Sequence, residues 1–307
     1  MKISVLIFSV FLTISCHSSK IPSNKSDVER VRNDLTQITK TGNFRYYLNP
    51  DALNYTADYI YSELAKNCDT VYYQEFKVNN ITYKNVVASI GTDKKERIVI
   101  GAHYDVCGKQ EGADDNASGL VGILELARLL SKEKLDYRID FVAYSLEEPP
   151  FFGTKEMGSY VHAKSLRDQN IDIKGMICLE MIGYYRDEPN SQKYPLGILK
   201  LFYGNKGNFI TVVQNFNNSK FGKQVKELMT KQKLLPTKSF IGPEKLGGVD
   251  FSDHRNYWEF GYNAVMITNT SFYRNPNYHQ TSDQMETLDL NRMCKVIDEV
   301  CNCVINL

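Results

Sequence analysis

The sequence predicts an α/β fold in three layers, with a mostly parallel central sheet and helices on both of its faces. The continuous apolar run at residues 98–102 is typical of a strand buried on both faces of a parallel sheet, and the largely apolar segment at 139–145 predicts another buried strand. Between them, at residues 116–130, apolar side chains recur at intervals of three and four, which predicts a helix. Predicted strands and helices alternate in this way over most of the chain. Such alternation favours a parallel sheet covered by helices.

The elements before this region are predicted from their periodicity. From the amino end they are helices over 28–41 and 50–67 and strands over 71–78 and 82–90. In the second helix, apolar residues from Leu53 to Leu64 form a stripe at intervals of three and four. The two strands show period-two alternation, and Asn79-Asn80 between them predicts a hairpin turn.

The elements after residue 148 continue the alternation of strands and helices. They are a helix over 158–167, strands over 173–182 and 196–203, helices over 221–232 and 252–260, a strand over 264–268 and a helix over 288–307. The last helix carries Leu290, Met293 and Val300 on one face, as expected of a helix that packs against a core.

The composition of the chain indicates one folded domain and argues against nucleic acid as a partner. The chain has 307 residues, of which 42% are hydrophobic, enough to bury a large core. Because 37 basic residues face 36 acidic ones, the net charge is +1 and no basic surface for nucleic acid is expected. With no internal repeat and no second linker, residues 28–307 are expected to form a single domain.

The amino terminus is typical of an exported protein. Residues 1–16 form a short apolar stretch after one lysine, which predicts a signal peptide. The stretch ends in Cys16, which predicts a bacterial lipoprotein acylated at this cysteine, in the periplasm or at the outer membrane or cell surface. Residues 17–27 are polar and predict a tether. The expected contact with a membrane is therefore limited to a lipid at Cys16.

The first candidate site residues follow the apolar run at 98–102. His103 and Asp105 are two positions apart, so they share a face if the extended conformation continues. The carboxylate can then hold the imidazole in one tautomer, as in many metal sites. The sequence thus predicts a histidine ligand and the residue that supports it.

Two further groups of acids stand at the ends of predicted elements. Asp114 and Asp115 precede the helix over 116–130, where Asn116 is already an adequate cap, so capping does not explain both acids. Glu147 and Glu148 follow the second buried run and, being adjacent at a strand end, point in different directions. One glutamate can therefore bind a metal while the other acts as a general base.

The order of these motifs makes the resemblance to a known family specific. The segments H-Y-D, G-A-D-D-N-A-S-G, Y-S-L-E-E, L-E-M-I-G-Y, S-D-H and Y-H-Q-T-S-D follow one another between about residues 95 and 285. In this order they resemble the M28 family of zinc aminopeptidases. The resemblance implies the zinc-peptidase fold, peptide substrates and two zinc ions per chain.

The resemblance also implies a role for each site residue. His103 and Glu180 match the ligands of one zinc, Glu148 and His279 match those of the other, and Asp115 matches the carboxylate that bridges both. Glu147 matches the general base that activates a water molecule bridging the metals, and Asp105 matches the residue that orients His103. Two features depart from many members of the family. Glu180 replaces an aspartate, and the segment after Glu148 is longer than the usual glycine turn.

The resemblance leaves three functional alternatives. The first is a dizinc aminopeptidase that cleaves the peptide bond after the first residue. The second is a glutaminyl cyclase, an acyltransferase of similar fold with one zinc, although cyclases typically alter the G-A-D-D-N-A-S-G segment, which is intact here. The third is a non-catalytic binding lipoprotein, which would be expected to have lost at least one site residue. The sequence does not give the oligomeric state.

Residues near the motifs carry weaker expectations. Asp114 is expected to be a local loop acid, His162 a surface residue, and Asp253 and His254 residues that support the site or line its pocket. Cys178 and Cys294 are expected to be buried free thiols, and Cys107 to lie near the ligands as a target for heavy metals. A pocket for a bulky apolar amino-terminal residue is expected from aromatic residues near the motifs, namely Phe151, Phe152, Trp258, Phe260, Tyr273 and Tyr278.

Overall fold

The computed structural model of the protein describes residues 20–217 and 219–307. The predicted signal peptide, Cys16 and the first residues of the predicted tether lie outside these ranges. The described end of the tether segment is hydrogen bonded to the domain: the Ser26 hydroxyl donates to Asp298 over 2.6 Å, and the Asp27 amide donates to Glu125 over 2.8 Å. Within the described residues, no helix is long and apolar enough to cross a membrane.

Eight strands form one mixed sheet. They are β1 (Thr70–Val78), β2 (Ile81–Ile90), β3 (Arg97–His103), β4 (Arg138–Tyr144), β5 (Gly175–Glu180), β6 (Ile210–Asn215), β7 (Thr237–Gly242) and β8 (Ala264–Thr268). Their spatial order is β1-β2-β4-β3-β5-β8-β6-β7. The four central strands β4, β3, β5 and β8 are parallel, and the antiparallel pairs lie outside them or join β8 to β6. The mostly parallel sheet is therefore confirmed.

Helices cover both faces of the sheet. They are α1 (Val28–Thr39), α2 (Pro50–Ala65), α3 (Gly119–Leu130), α4 (Gly158–Asp168), α5 (Leu199–Tyr203), α6 (Lys220–Lys231), α7 (His254–Glu259) and α8 (Leu290–Ile305). Buried side chains of α1, α2, α3, α6 and α8 share one core, and those of α4 and α7 share the other. In β3, Ile98 and Ile100 enter the first core and Val99 the second, as period-two alternation requires. The three-layer prediction is confirmed.

The hairpin predicted at Asn79-Asn80 is present. The two asparagines have φ of 48° and 65°, and Val78 pairs with Ile81 across the turn. Positive φ at both central residues is the conformation of a two-residue turn that matches the twist of its strands, and asparagine tolerates it. The prediction is confirmed, because the conformation of a two-residue turn depends mainly on the two residues within it.

The prediction of a strand at 196–203 is wrong. This segment contains the helix α5, and apolar side chains such as Leu201 and Phe202 are 79% and 77% exposed. The sheet position beside β8 is taken by β6, which the sequence analysis missed together with β7. The apolar alternation at 196–203 therefore has no strand to pair with and no face of the sheet to cover.

The helix predicted over 116–130 begins later, at Gly119. An irregular turn over Ala113–Ser118 precedes it, and Asp115 and Asn116 have non-helical backbone angles there. Asn116 still caps the helix, because its Oδ1 accepts the Gly119 amide over 3.1 Å. A Cβ at Gly119 would lie 2.4 Å from the Leu179 carbonyl oxygen, so only glycine allows this close approach to β5. The delayed start turns Asp115 away from the helix and toward the strand ends.

Candidate metal centre

The carboxyl ends of β3 and β5 bring the first group of predicted ligands together. His103 is the last residue of β3 and Glu180 the last residue of β5, and these strands are parallel neighbours. The His103 Nε2 atom lies 3.4 Å from Glu180 Oε2 and 3.4 Å from Asp115 Oδ1. All three side chains are buried. The donor atoms of these residues lie within 4.8 Å of one another, close enough to hold one metal ion.

The second group of predicted ligands lies on the other side of Asp115. His279 Nε2 is 3.3 Å from Asp115 Oδ2 and 3.1 Å from Glu148 Oε2. The two oxygens of Asp115 thus face the two histidines separately, one oxygen to each. This arrangement matches a carboxylate shared between two metal ions, with His103 and Glu180 on one side and Glu148 and His279 on the other.

Asp105 supports the site in two ways. Its two carboxylate oxygens accept the backbone amides of Glu147 and Glu148, each over 3.1 Å. Its backbone carbonyl oxygen lies 3.2 Å from His103 Nδ1, whereas its carboxylate lies 3.6 Å away. The contact with His103 therefore runs mainly through the main chain, and the Asp105 carboxylate fixes the position of the two glutamates.

Glu147 lies beside His103, farther from it than the predicted ligands Asp115 and Glu180. Its side chain is buried, and its Oε2 lies 3.8 Å from His103 Nε2, the longest separation among these pairs. Burial raises the pKa of Glu147 well above the usual range, and the neighbouring Glu148 adds to this effect while His103 opposes it. A carboxylate with a raised pKa is a stronger base, as general acid-base catalysis needs.

The donor atoms fit a pair of divalent cations. Asp115 Oδ2, Glu148 Oε1 and His279 Nε2 are buried atoms without a hydrogen-bond partner. Burial and the nearby Asp115 raise the pKa of Glu148 to about 7, although His279 opposes the shift. Buried acceptors without partners are costly, and a metal ion at their centre removes that cost. Two imidazoles and three carboxylates are donors that suit zinc.

One candidate ligand, His279, and two residues adjacent in the chain to other site residues, Leu146 and Met181, have backbone angles in the left-handed region. Leu146, Met181 and His279 have φ of 61°, 49° and 56°. Leu146 directly precedes Glu147, and Met181 directly follows Glu180. Such angles cost on the order of 1–3 kcal/mol each for residues other than glycine, and they cluster at functional sites. The strain lies where strand ends turn sharply to deliver the site residues.

Asp283, which was not among the predicted site residues, and Asp114, predicted to be a local loop acid, both hold the backbone around the site. Asp283 accepts the amides of Asp114 and Asp115, each over 3.0 Å, and so fixes the backbone beneath the bridging carboxylate. Asp114 accepts hydrogen bonds from Gly183 and Asn269, each over 2.8 Å, and is fully buried. It therefore connects distant segments and is not a local loop acid. Asp283 ends the Y-H-Q-T-S-D motif, which was the available signal.

Two polar residues hold Glu180 in place. The Ser252 hydroxyl donates to Glu180 Oε2 over 2.6 Å, and the Asn116 amide group donates to the same oxygen over 3.2 Å. Asn116 Oδ1 also accepts the Met181 amide over 3.0 Å. Asn116 thus links the turn that carries Asp115 to the end of β5. From the sequence it was interpreted only as a helix cap.

Three further residues near the site, His162, Asp253 and His254, are buried. His254 is buried, and its Nε2 lies 2.8 Å from the Val249 carbonyl oxygen, which makes it a structural residue. Asp253 is buried beside the site, with neither carboxylate oxygen in a hydrogen bond. The prediction that His162 is a surface residue is wrong. It is 2% exposed, and its Nδ1 lies 2.7 Å from the Tyr257 hydroxyl.

A cavity with mainly apolar walls, including several aromatic side chains, borders Glu180. Its aromatic lining consists of Tyr194, Tyr203, Phe209, Phe240, Phe251, Phe272 and Tyr273. Of the six aromatic residues expected to line the pocket, only Tyr273 does so. Trp258 packs on His254 with ring centroids 4.5 Å apart, and Tyr278 stacks on His279 at 3.8 Å. The cavity walls come from segments that the sequence motifs do not mark.

Arg45, outside all the motifs, holds the loop that follows β3. It is 2% exposed, and its guanidinium donates to the carbonyl oxygens of Tyr104 (2.7 Å), Gly112 (2.8 Å) and Glu111. These bonds tie both ends of the loop between His103 and Asp114 to the segment before α2. The loop would otherwise leave three main-chain acceptors without partners.

We expect Arg45→Met to lower the free energy of unfolding by about 3 kcal/mol, because hydrogen bonds from a charged group are lost and buried carbonyls are left unpaired. Urea denaturation measures the change. Arg32→Met is the control, since the Arg32 side chain is 50% exposed, and its effect should stay within about 0.5 kcal/mol. Equal effects of the two substitutions would show that Arg45 does not hold the loop.

The amino-acid sequence is similar to those of known proteins. Residues 85–304 match the sequence profile of Peptidase family M28. The uncharacterized protein YfbL of Escherichia coli strain K12 is 40% identical over 286 residues, covering 91% of this chain and 88% of YfbL. A probable leucine aminopeptidase of Trichophyton verrucosum strain HKI 0517 is 26% identical over 283 residues, covering 86% of this chain and 67% of that protein.

Solved structures share the fold. The LapA aminopeptidase of Legionella pneumophila superposes with a TM-score of 0.72 at 23% identity, covering 92% of this chain and 72% of LapA. The glutaminyl cyclase of Bacteroides thetaiotaomicron superposes with a TM-score of 0.65 at 18% identity, covering 92% of this chain and all of that chain (100%). Because a peptidase and a cyclase both adopt this fold, the fold alone does not select the reaction.

Proposed function

The chain belongs to peptidase family M28, and on that premise we propose that it is a zinc-dependent aminopeptidase that removes the first residue of peptides with the help of two zinc ions. One observation carries the proposal most strongly. The two oxygens of Asp115 lie 3.4 Å from His103 and 3.3 Å from His279, on opposite sides of one carboxylate. A single-metal site does not need a carboxylate shared in this way.

The metals would supply part of the chemistry and the protein side chains the rest. Two zinc ions held by His103, Asp115, Glu148, Glu180 and His279 would lower the pKa of water and polarise the carbonyl of the scissile bond. The side chains hold these charges in a buried site, where electrostatic effects are strong. Asn116 and Ser252 keep Glu180 in position through their hydrogen bonds.

Glu147 would carry the proton. Its carboxylate accepts a proton from the water that attacks the carbonyl carbon, and then gives this proton to the nitrogen of the leaving amine as the C–N bond breaks. Asp105 supports both steps, because its carboxylate accepts hydrogen bonds from the amides of Glu147 and Glu148 and so fixes the positions of these two residues. The raised pKa of Glu147 suits a group that must both take and return a proton.

We place the free amino group of the substrate at the Glu148 and His279 end of the site. The carboxylates of Asp115 and Glu148 lie beside His279 at this end, where they can hold an amine. Binding of the amino terminus there would restrict cleavage to the first peptide bond. The predicted signal peptide and the acylation of Cys16 stay proposals, and mass spectrometry of the mature amino terminus tests them.

A cyclase and a non-catalytic binding protein are the alternatives to this proposal. The superposition with a glutaminyl cyclase concerns the fold alone. The printed names of several sequence relatives, by contrast, describe leucine aminopeptidases. Assays separate the three functions: release of leucine from leucine amide supports the peptidase, formation of pyroglutamate from an amino-terminal glutamine peptide supports the cyclase, and binding without turnover supports the third.

We expect leucine amide to be cleaved about 100-fold more efficiently than glutamate or lysine amide, measured as kcat/KM. The aromatic cavity beside Glu180 can bury an apolar side chain, whereas a charged one would lose its hydration there. Phe272→Ala, in the cavity wall, should reduce the preference. Phe202→Ala should not, because Phe202 is 77% exposed and lies outside the wall. Equal rates on the three amides would contradict this assignment.

A further inference from the structure

Cys107 lies in the loop after β3, close to the metal ligands. The loop is fixed at this point: the Val106 amide donates to the Arg45 carbonyl oxygen over 3.1 Å, and the Gly108 amide donates to the Val106 carbonyl oxygen over 3.0 Å. These two bonds flank Cys107 on either side. The cysteine is half-buried and in no disulfide. Its thiol is therefore held in one region of the site and is still open to small reagents.

The thiol points toward two of the proposed ligands. The Cys107 Sγ atom, a Glu148 carboxylate oxygen and a His279 ring nitrogen all lie within 4.8 Å of one another. Glu148 Oε1 and His279 Nε2 are both buried without a hydrogen-bond partner, and Glu148 is 4% exposed. Two buried donors with free lone pairs thus face the same small space as the sulfur atom.

A thiolate, a carboxylate and an imidazole together form a donor set for thiophilic cations. Tetrahedral zinc with bonds of about 2.0–2.3 Å places its ligand atoms about 3.3–3.8 Å apart. The three atoms around Cys107 therefore need only small side-chain movements to surround one ion. Sulfur donors shift the preference of a site toward zinc and other soft cations and away from magnesium and manganese.

We propose that Cys107 is a fourth protein ligand at the Glu148 and His279 end of the site, beside these two residues and Asp115, where its thiolate binds a thiophilic divalent cation such as zinc or cadmium. On binding, the S–H proton is released to solvent and a bond between sulfur and metal takes its place. The inference rests on the proposed two-metal function and deepens it. It assigns different donor types to the two halves of the site.

The other half of the site has no sulfur donor. Among the described residues, the group of His103, Asp115 and Glu180 contains only nitrogen and oxygen donors. The thiol of Cys178 lies nearer that half, but it contacts the Ser252 hydroxyl over 3.2 Å and belongs to none of the candidate metal groups. The two metal positions are therefore expected to differ in their preference for soft cations.

Cadmium binding to the full chain after removal of its metals tests the proposal. A bond between thiolate and cadmium gives an ultraviolet charge-transfer band that carboxylate and imidazole ligands do not give. We expect this band in the wild-type protein and in Cys68→Ser, the matched control, since Cys68 is also half-buried and free. Cys107→Ser should lose the band, and its affinity for one of two cadmium ions should fall on the order of 10- to 100-fold.

Alkylation of the wild-type protein gives a second measurement that needs no variant. Iodoacetamide should modify Cys107 in the metal-free protein, and bound cadmium should prevent this, as mapped by mass spectrometry. A band that persists in Cys107→Ser, or alkylation of Cys107 that cadmium does not slow, would overturn the proposal alone. If neither the wild-type protein nor its variants bind cadmium or zinc, the proposed two-metal function fails as well.

Discussion

Glu147→Gln is expected to lower kcat on the order of 10³- to 10⁴-fold while the protein keeps two zinc ions per chain. Glutamine has nearly the same shape as glutamate, but its amide cannot accept the proton of the attacking water. Glu147 Oε2 also lies 3.8 Å from His103 Nε2, farther than the oxygens of Asp115 and Glu180, which lie at 3.4 Å. Its loss should therefore affect turnover and leave metal binding intact. Steady-state kinetics and elemental analysis of the same sample measure both quantities.

Glu156→Gln is the matched control for this substitution. Glu156 lies in the same loop as Glu147 and is exposed to solvent, so its replacement should change neither turnover nor metal content. If Glu147→Gln lost zinc together with activity, Glu147 would be a ligand. The roles of Glu147 and Glu148 would then have to be exchanged.

Asp115→Asn is expected to reduce bound zinc from two ions per chain to one or none and to abolish turnover. The neutral amide cannot bridge two cations, and each half of the site loses one of its three donors. The affinity for zinc should fall at least 100-fold. Loss of a group that only hydrogen bonds to a metal ligand lowers the affinity by up to about 100-fold, and loss of a ligand itself should cost at least as much. Competition with a chromophoric chelator measures this affinity directly.

Asp136→Asn provides the control, because Asp136 is an exposed aspartate that precedes β4, whereas the candidate ligand Glu148 follows the opposite end of that strand. It should keep both zinc ions and full activity. Thermal unfolding of each variant shows whether the chain still folds. A folded Asp115→Asn protein that retained two tightly bound zinc ions would contradict the shared carboxylate.

The central strands were predictable because their signal is local. The run that became β3 is apolar from Ile98 to Ala102, and that of β4 is interrupted only by Asp140, since both faces of these strands are buried. β6 was missed because Thr211, Gln214 and Asn215 are buried in it and break the apolar run. β7 at the sheet edge is half-buried at every residue before Gly242, so it shows neither an apolar run nor alternation.

The candidate site residues were predictable for a related reason. His103 and Glu180 end buried strands, and Glu147 and Glu148 follow another within a few residues, so their place in the fold follows from their neighbours in the chain. Their catalytic and metal-binding roles stay predictions. The structure shows that their side chains converge.

The residues that support the site were not predictable, because they act across large separations in the sequence. Arg45 binds carbonyl oxygens 59 to 67 positions away, and Asp283 accepts amides 168 and 169 positions away. No local pattern distinguishes such a buried arginine or aspartate from a surface one. The cavity walls were missed for the same reason, since they combine segments from 192 to 273.

Zinc stoichiometry tests the account most directly. The purified protein would be dialysed without a chelator, and its zinc content determined by elemental analysis against protein concentration. The shared position of Asp115 between His103 and His279 predicts two zinc ions per chain. A single zinc ion per chain that added zinc does not raise to two would contradict the two-metal site and favour the cyclase.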